Sequence, residues 1–204
     1  MNDLREQFGD IDIYLFDQLM RGRIEPGMRV LDVGCGGGRN LVYLLRRGFD
    51  VAGVDQDPDA VAHVRALAAR LAPALPPDNF RVEAIEALSF PDASADVVIA
   101  SAVLHFALGV AHFDSMLASI WRVLAPGGLL FARLASSIGI ADRVQPVGGG
   151  RFRLPDGSDR FLVDERMLME IGARLGGDLL DPLKTTVVQN QRAMTTWVVR
   201  KRRG

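Results

Sequence analysis

A doubly wound α/β fold, built on a parallel sheet and closed by an antiparallel hairpin, is predicted by three features of the sequence. From residue 29 onward, short β-rich apolar runs alternate with stretches of helical periodicity. The first strand enters its helix through a cluster of glycines. The chain then closes on two strand-like runs separated by a turn. With 204 residues, the chain 1–204 is expected to form one domain.

The strands are expected at Arg29 to Val33, Asp50 to Val54, Phe80 to Ala84, Ala95 to Ser101 and Leu129 to Ala135. Between them lie three helices. The first follows the glycines and carries Leu41, Leu44 and Leu45 on one face. The second opens at Asp57-Pro58, an N-cap followed by proline at the first helical position, and carries Val61, Val64, Leu67 and Leu71. The third, about Ala111 to Leu124, turns Phe113, Met116, Leu117, Ile120 and Leu124 inward and stops at Pro126-Gly127-Gly128. Connections of this length imply right-handed crossovers, and such sheets bind ligands at their strand C-termini. Residues 136–160 turn to glycine, arginine and proline, with a hairpin turn at Asp156-Gly157, and read as an inserted flap. A helix from about Asp164 to Leu175 follows, then strands Lys184 to Gln189 and Met194 to Arg200 around Asn190-Gln191. Residues 1–27 form a helical segment, centred on Tyr14 to Met20, expected over the sheet's edge or across its ligand end.

Composition narrows the partners. The 24 basic and 25 acidic residues balance to a net charge of −1, which removes the electrostatic footprint of a nucleic-acid binder. Cys35 is the single cysteine, so an internal disulfide and a thiolate zinc cluster are both excluded; no metal site is expected, and a reducing, cytoplasmic setting is. The opening MNDLREQFGD lacks the basic start and apolar stretch of an export signal. The longest apolar run, Val97 to Ala111, is shorter than a bilayer span and interrupted by Ser101, His105 and Gly109, so no membrane association is expected. Oligomeric state is open.

The informative segment runs from Val30 to Asn40: an apolar strand ends near Asp32 and bends through Gly34, Gly36, Gly37 and Gly38. Glycine permits positive φ and lets a ligand approach the backbone, while the following helix offers free N–H groups to a carboxylate. The spacing is G-x-G-x-G at 34, 36 and 38. A dinucleotide fingerprint requires its third glycine at 39, where Arg39 stands, and pyrophosphate binding loses ground. The second strand ends in Asp55, placed to accept both hydroxyls of a ribose.

These residues resemble class I S-adenosylmethionine (SAM)-dependent methyltransferases. Val30 to Gly38 is similar to the family's first motif, Val51 to Asp57 to its second, Phe90 to His105 to its fourth-strand region and Trp121 to Phe131 to its post-helix strand. Arg39-Asn40 is also similar to compact small-molecule members, including tellurite-resistance relatives. The resemblance implies a Rossmann-like, mostly parallel seven-stranded sheet with an antiparallel last strand. It implies that Asp32, Gly34, Cys35 and Gly36 contact the methionine part of SAM, that Asp55 holds the ribose and that Gln56 lies beside the adenine. Where many relatives carry Asp in the third-strand region this chain has Ala84, so Glu86 or the backbone of Ile85 would serve the adenine. Ser101 and Ala102 would face the sulfonium through their carbonyls.

SAM carries an activated methyl, so an enzyme of this kind needs mainly to align the acceptor, and S-adenosylhomocysteine is the product. His105, just after the fourth strand, is the candidate general base; the competing reading packs it beside Phe106. Tyr14 and the flap arginines Arg143, Arg151 and Arg153 are candidate acceptor walls. An Asn-Pro-Pro-aromatic tetrad is absent after the fourth strand, which disfavours planar-amine DNA chemistry and leaves a small-molecule acceptor. Two other functions stay open: an NAD(P)-dependent oxidoreductase, and a SAM-binding protein without turnover.

Overall fold

The computed structural model describes residues 3–203. Two helices, α1 (Asp3–Phe8) and α2 (Ile13–Met20), lead into β1 (Arg29–Val33), α3 (Val42–Arg46), β2 (Asp50–Asp55), α4 (Pro58–Leu71), β3 (Phe80–Val82), β4 (Ala95–Ser101), α5 (Val110–Val123) and β5 (Leu124–Ser136). The remainder comprises β6 (Gln145–Gly148), β7 (Arg151–Arg153), β8 (Asp159–Phe161), α6 (Glu165–Arg174), β9 (Gly177–Leu179), β10 (Lys184–Val188) and β11 (Arg192–Lys201). Among the described residues, no helix is long and apolar enough to cross a membrane.

The main sheet runs β10-β11-β5-β4-β1-β2-β3, with β11 antiparallel to both neighbours and the five strands from β5 to β3 parallel. The expected seven positions are filled by eight strands. Both β9 and β10 pair with β11, the first against Val199 to Lys201 and the second against Arg192 to Thr196. Leu180 N–H still reaches the Val198 carbonyl at 2.9 Å, so β9 and β10 are one edge strand interrupted at Asp181-Pro182. Proline there cannot donate to a ladder, which accounts for the break.

Alternation along the strands makes the three layers. In β1, Leu31 and Val33 pack into one cluster with α5 and α6, while Val30 packs into another with α2, α3 and α4. Asp57 caps α4, its Oδ1 accepting the Asp59 N–H at 2.9 Å, with Pro58 at the first helical position. Pro126-Gly127-Gly128 ends α5 as expected, but it lies inside β5, where the pairing with β4 slips between Ala95 and Val97. The three residues form a bulge: a Cβ on Gly128 would lie 2.9 Å from the Asp96 carbonyl. The closing hairpin turns on Gln189 and Asn190, both at positive φ, one residue earlier than expected.

Residues 145–161 fold into a separate three-stranded antiparallel sheet, β6-β7-β8. Its Phe161 stacks on Phe113 of α5 at 4.6 Å, and Leu154 and Leu162 pack with Ala135 of β5. At the other side Asp12 caps α2 and ties it to the C-terminal ends of the central strands, so the N-terminal helices lie over the end of the sheet where ligands bind.

Candidate cofactor-binding site

The site begins with the bend after β1. Gly34, Gly36 and Gly38 all have positive φ. A Cβ on Gly34 would lie 2.4 Å from Val103 Cγ2, so no side chain fits; at Gly36 it would meet nothing within 4 Å, because that position faces open space. The loop is longer than the sequence indicates. The following helix, α3, starts only at Val42 and has five residues, with Leu44 and Leu45 buried.

This changes where the loop's N–H groups go. Those of Gly34 and Cys35 donate to the Val54 carbonyl at 2.8 and 2.9 Å, that of Gly36 to Asp55 Oδ2 at 2.9 Å, and that of Gly38 to the Cys35 carbonyl at 3.0 Å. The glycine loop is therefore stitched to β2 and to itself, and these amides are already engaged. Cys35 is buried, and that burial, reinforced by Asp32 and Asp55, pushes its thiol pKa upward. It is a packing residue against Gly53.

Two carboxylates at neighbouring strand ends differ in kind. Asp55 accepts from Gly36 and, through Oδ1, from Asp57 N–H at 3.0 Å, which fixes its plane and leaves each oxygen a further lone pair for a ribose hydroxyl. Asp32 is 1 % exposed and neither oxygen has a hydrogen-bond partner. Burial, with Asp55 adding to it and Arg39 opposing it, pushes its pKa up to about 8. A buried carboxylate without a donor is costly, and among the described residues no hydrogen bond relieves it.

Above these residues two hollows meet at Gly34. One, of about 390 Å³, is lined by residues 34–38 with Arg39, Asn40 and Ser101. The other, of about 420 Å³, is lined by Asp55, Gln56, Ile85, Glu86, Phe106 and His112 among others. The structure thus brings Gly34, Cys35, Gly36, Asp55, Gln56, Ile85, Glu86 and Ser101 to two adjoining hollows that share Gly34, with Asp32 buried under the loop. A larger hollow of about 560 Å³ lies between α6 and the break in the edge strand, but its buried acid, Asp181, is already paired with Arg23 at 2.6 Å.

Tyr14 and His105 are not among the residues lining either hollow. Tyr14 hydroxyl bonds Thr186 Oγ1 at 2.9 Å on the edge strand. His105 is buried, its ring 4.6 Å from Phe106, and its Nδ1 accepts the Ala135 N–H at 3.3 Å. Burial, with Arg160 nearby, lowers its pKa to about 4 and keeps it neutral. The flap arginines also stand away from both hollows, and Arg153 pairs with Asp159 across β7 and β8.

Sequence reasoning missed three polar residues around the hollows. Asp12 accepts from Arg133 Nη1 at 2.8 Å and from Tyr14 N–H at 2.9 Å, and its own N–H donates to Asn40 Oδ1 at 3.0 Å. Arg133 was detectable as a lone charge within an apolar strand. His112, on the first turn of α5, accepts the Leu108 N–H on Nδ1 at 3.0 Å. Its proton therefore sits on Nε2, which lies 3.3 Å from Glu86 Oε2, although poorly aligned for a hydrogen bond.

A parallel sheet whose order reverses between β1 and β4, with a glycine bend and acids at the strand ends, defines a doubly wound cofactor-binding protein. Residues 31–132, half of the chain, match the methyltransferase domain family, and the chain belongs to that family. A ubiquinone biosynthesis O-methyltransferase of Methylocella silvestris is 36 % identical over 118 residues, covering 56 % of this chain and 44 % of that protein. The chain spans less than half the length of other curated relatives as well. A SAM-dependent methyltransferase of Methanosarcina mazei superposes with a TM-score of 0.73 at 21 % identity, covering 91 % of this chain and 98 % of that one. The 1,6-didemethyltoxoflavin-N1-methyltransferase of Burkholderia thailandensis, solved with 1,6-didemethyltoxoflavin and S-adenosylhomocysteine, superposes with a TM-score of 0.71 at 20 % identity, covering 98 % and 82 %.

Proposed function

We propose that this protein is a SAM-dependent methyltransferase acting on a small-molecule acceptor. One observation carries the reading: the unpartnered carboxylate of Asp32, buried beneath the glycine loop, one strand away from Asp55. An amino-acid ammonium answers the first and a ribose the second, and the two adjoining hollows have room for the two ends of such a molecule. When bound, SAM supplies a methyl group on a cationic sulfur. The chain's own part is to hold and orient: Asp55, locked by two backbone N–H groups, fixes the sugar, and Gly34, against which Val103 packs, borders both hollows. Glu86 and the backbone of Ile85 take the adenine in place of the missing acid at Ala84.

His105 is read as a positioning group for the end of β5, because its Nδ1 is engaged with Ala135 and it lines neither hollow. Rate then comes mainly from alignment of the acceptor with the methyl group. Phe106 and Leu108 line the second hollow with Ile85 and give the adenine an apolar wall. The name of the Methylocella silvestris relative is consistent with a small-molecule acceptor.

Calorimetry with S-adenosylhomocysteine tests the reading. Because burial raises the Asp32 pKa to about 8 in the free protein, pairing it with an ammonium at pH 7 is expected to release a proton on binding. Titrations in buffers of different ionisation heat are expected to show about one proton released by the wild type and none by Asp32→Asn. Affinity in Asp32→Asn is expected to fall roughly 30-fold or more, the weight of one partner in a buried charge pair. Absence of binding to both SAM and its product, with quenching by NADH instead, rejects the reading in favour of an oxidoreductase.

A further inference from the structure

We propose that Arg39 is the anchor for the carboxylate of the cofactor's amino-acid end, and so selects the intact amino acid over ligands that lack it; this rests on the SAM reading above. The sequence places that carboxylate on the loop's backbone amides. The structure takes most of that cradle away, because of the five residues 34–38 the N–H groups of Gly34, Cys35, Gly36 and Gly38 already donate to Val54, Asp55 and Cys35, which leaves that of Gly37. The following helix has only five residues and starts beyond the loop.

A zwitterion needs two opposite partners. Asp32 is the negative one, buried and without a donor. Among the residues lining the hollow over the loop, Arg39 is the one cation. Its side chain is 49 % exposed, so a ligand can reach it. Its engagements are weak: one N–H donates to the neutral Ser101 hydroxyl at 3.2 Å, and Asp12 lies at 3.9 Å but already accepts from Arg133 at 2.8 Å. A guanidinium has five N–H donors in a fork that matches a carboxylate, and most of Arg39's remain available. Asp32 below and Arg39 beside the loop would together fix which way the amino acid lies.

The alternative is that Arg39 serves only as a distant counter-charge to Asp32. The two roles separate in a cycle that removes the charge from the protein and from the ligand. Wild type, Arg39→Gln and Arg39→Lys are titrated with S-adenosylhomocysteine and with its decarboxylated analogue, which keeps the ammonium. Wild type is expected to prefer the intact ligand by about 10- to 100-fold, as for charge-assisted hydrogen bonds. Arg39→Gln is expected to lose that preference by weakening the intact ligand alone, and Arg39→Lys to retain part of it. Equal weakening of both ligands, or an unchanged preference, overturns the anchor while leaving the cofactor reading intact. If the wild type binds neither ligand, the cofactor reading fails and the anchor with it. Thermal unfolding of each variant confirms that a loss of binding is not a loss of fold.

Discussion

Asp12 and Asp32 are both buried aspartates, 3 % and 1 % exposed, at the same end of the sheet, yet the molecule treats them oppositely. In the N-terminal cap, Asp12 has Arg133 at 2.8 Å and the Tyr14 N–H at 2.9 Å. At the glycine bend, Asp32 has no hydrogen-bond donor among the described residues. The fold is therefore capable of satisfying a buried carboxylate, and does so where the carboxylate joins two parts of the structure. Where it does not, burial favours the neutral carboxyl, a group left open to a partner from outside the chain.

The contrast can be broken at either aspartate. Below pH 4, Asp32 is protonated in both folded and unfolded chains; between its unfolded value of 3.8 and its folded value of about 8 only the folded chain keeps the proton. Its contribution to stability is thus complete below pH 4 and is lost as pH rises to about 8, at roughly 1.4 kcal/mol per pH unit at most. Asp32→Asn is expected to remove that slope and to be several kcal/mol more stable than the wild type at pH 8 without ligand, as read by urea unfolding across the pH range. An unchanged slope would show that Asp32 has a partner.

Asp12→Ala is expected to act in the other direction. It leaves Arg133 without its counter-ion and α2 without its cap, at a cost of about 2–4 kcal/mol, discounted because Arg133 is partly exposed. Limited proteolysis should then cut early between α2 and β1, and intact wild-type-like protection would refute the junction. The smallest effect is expected at Arg153, whose partner Asp159 sits beside it on the exposed flap. Arg153→Ala should leave the unfolding midpoint where it was, and a clear drop would mean that the flap is held by charge instead of by Phe161 and Leu162.

Legibility in the sequence followed the range of the interaction. Arg29–Val33 and Ala95–Ser101 match their expected bounds because each is a run of apolar residues ended by a local signal. The Asp57-Pro58 start of α4 is equally local. Pro126-Gly127-Gly128 was legible as an end of helix but not as a bulge, since the bulge exists only against Asp96 of β4. The three-residue β9 has no periodicity and becomes a strand through its pairing with β11. His105 stands at the right place in sequence, but Ala102 at φ +62 and the one-turn helix Leu104–Phe106 turn it toward β5.

By itself the sequence determined the alternation of strands and helices, the glycine bend and the acids at the ends of β1 and β2, because these depend on periodicity, backbone freedom and spacing within a few residues. Tertiary structure decided which donors remain free for a ligand. The amides of Gly34 and Cys35 were used by the Val54 carbonyl, Asp12 was claimed by an arginine 121 positions away, Asp32 was left without a donor beneath the bend, and Arg39 was left lining the hollow above it. Hydrogen bonding saturates, so whether a group is available depends on every neighbour the fold brings to it.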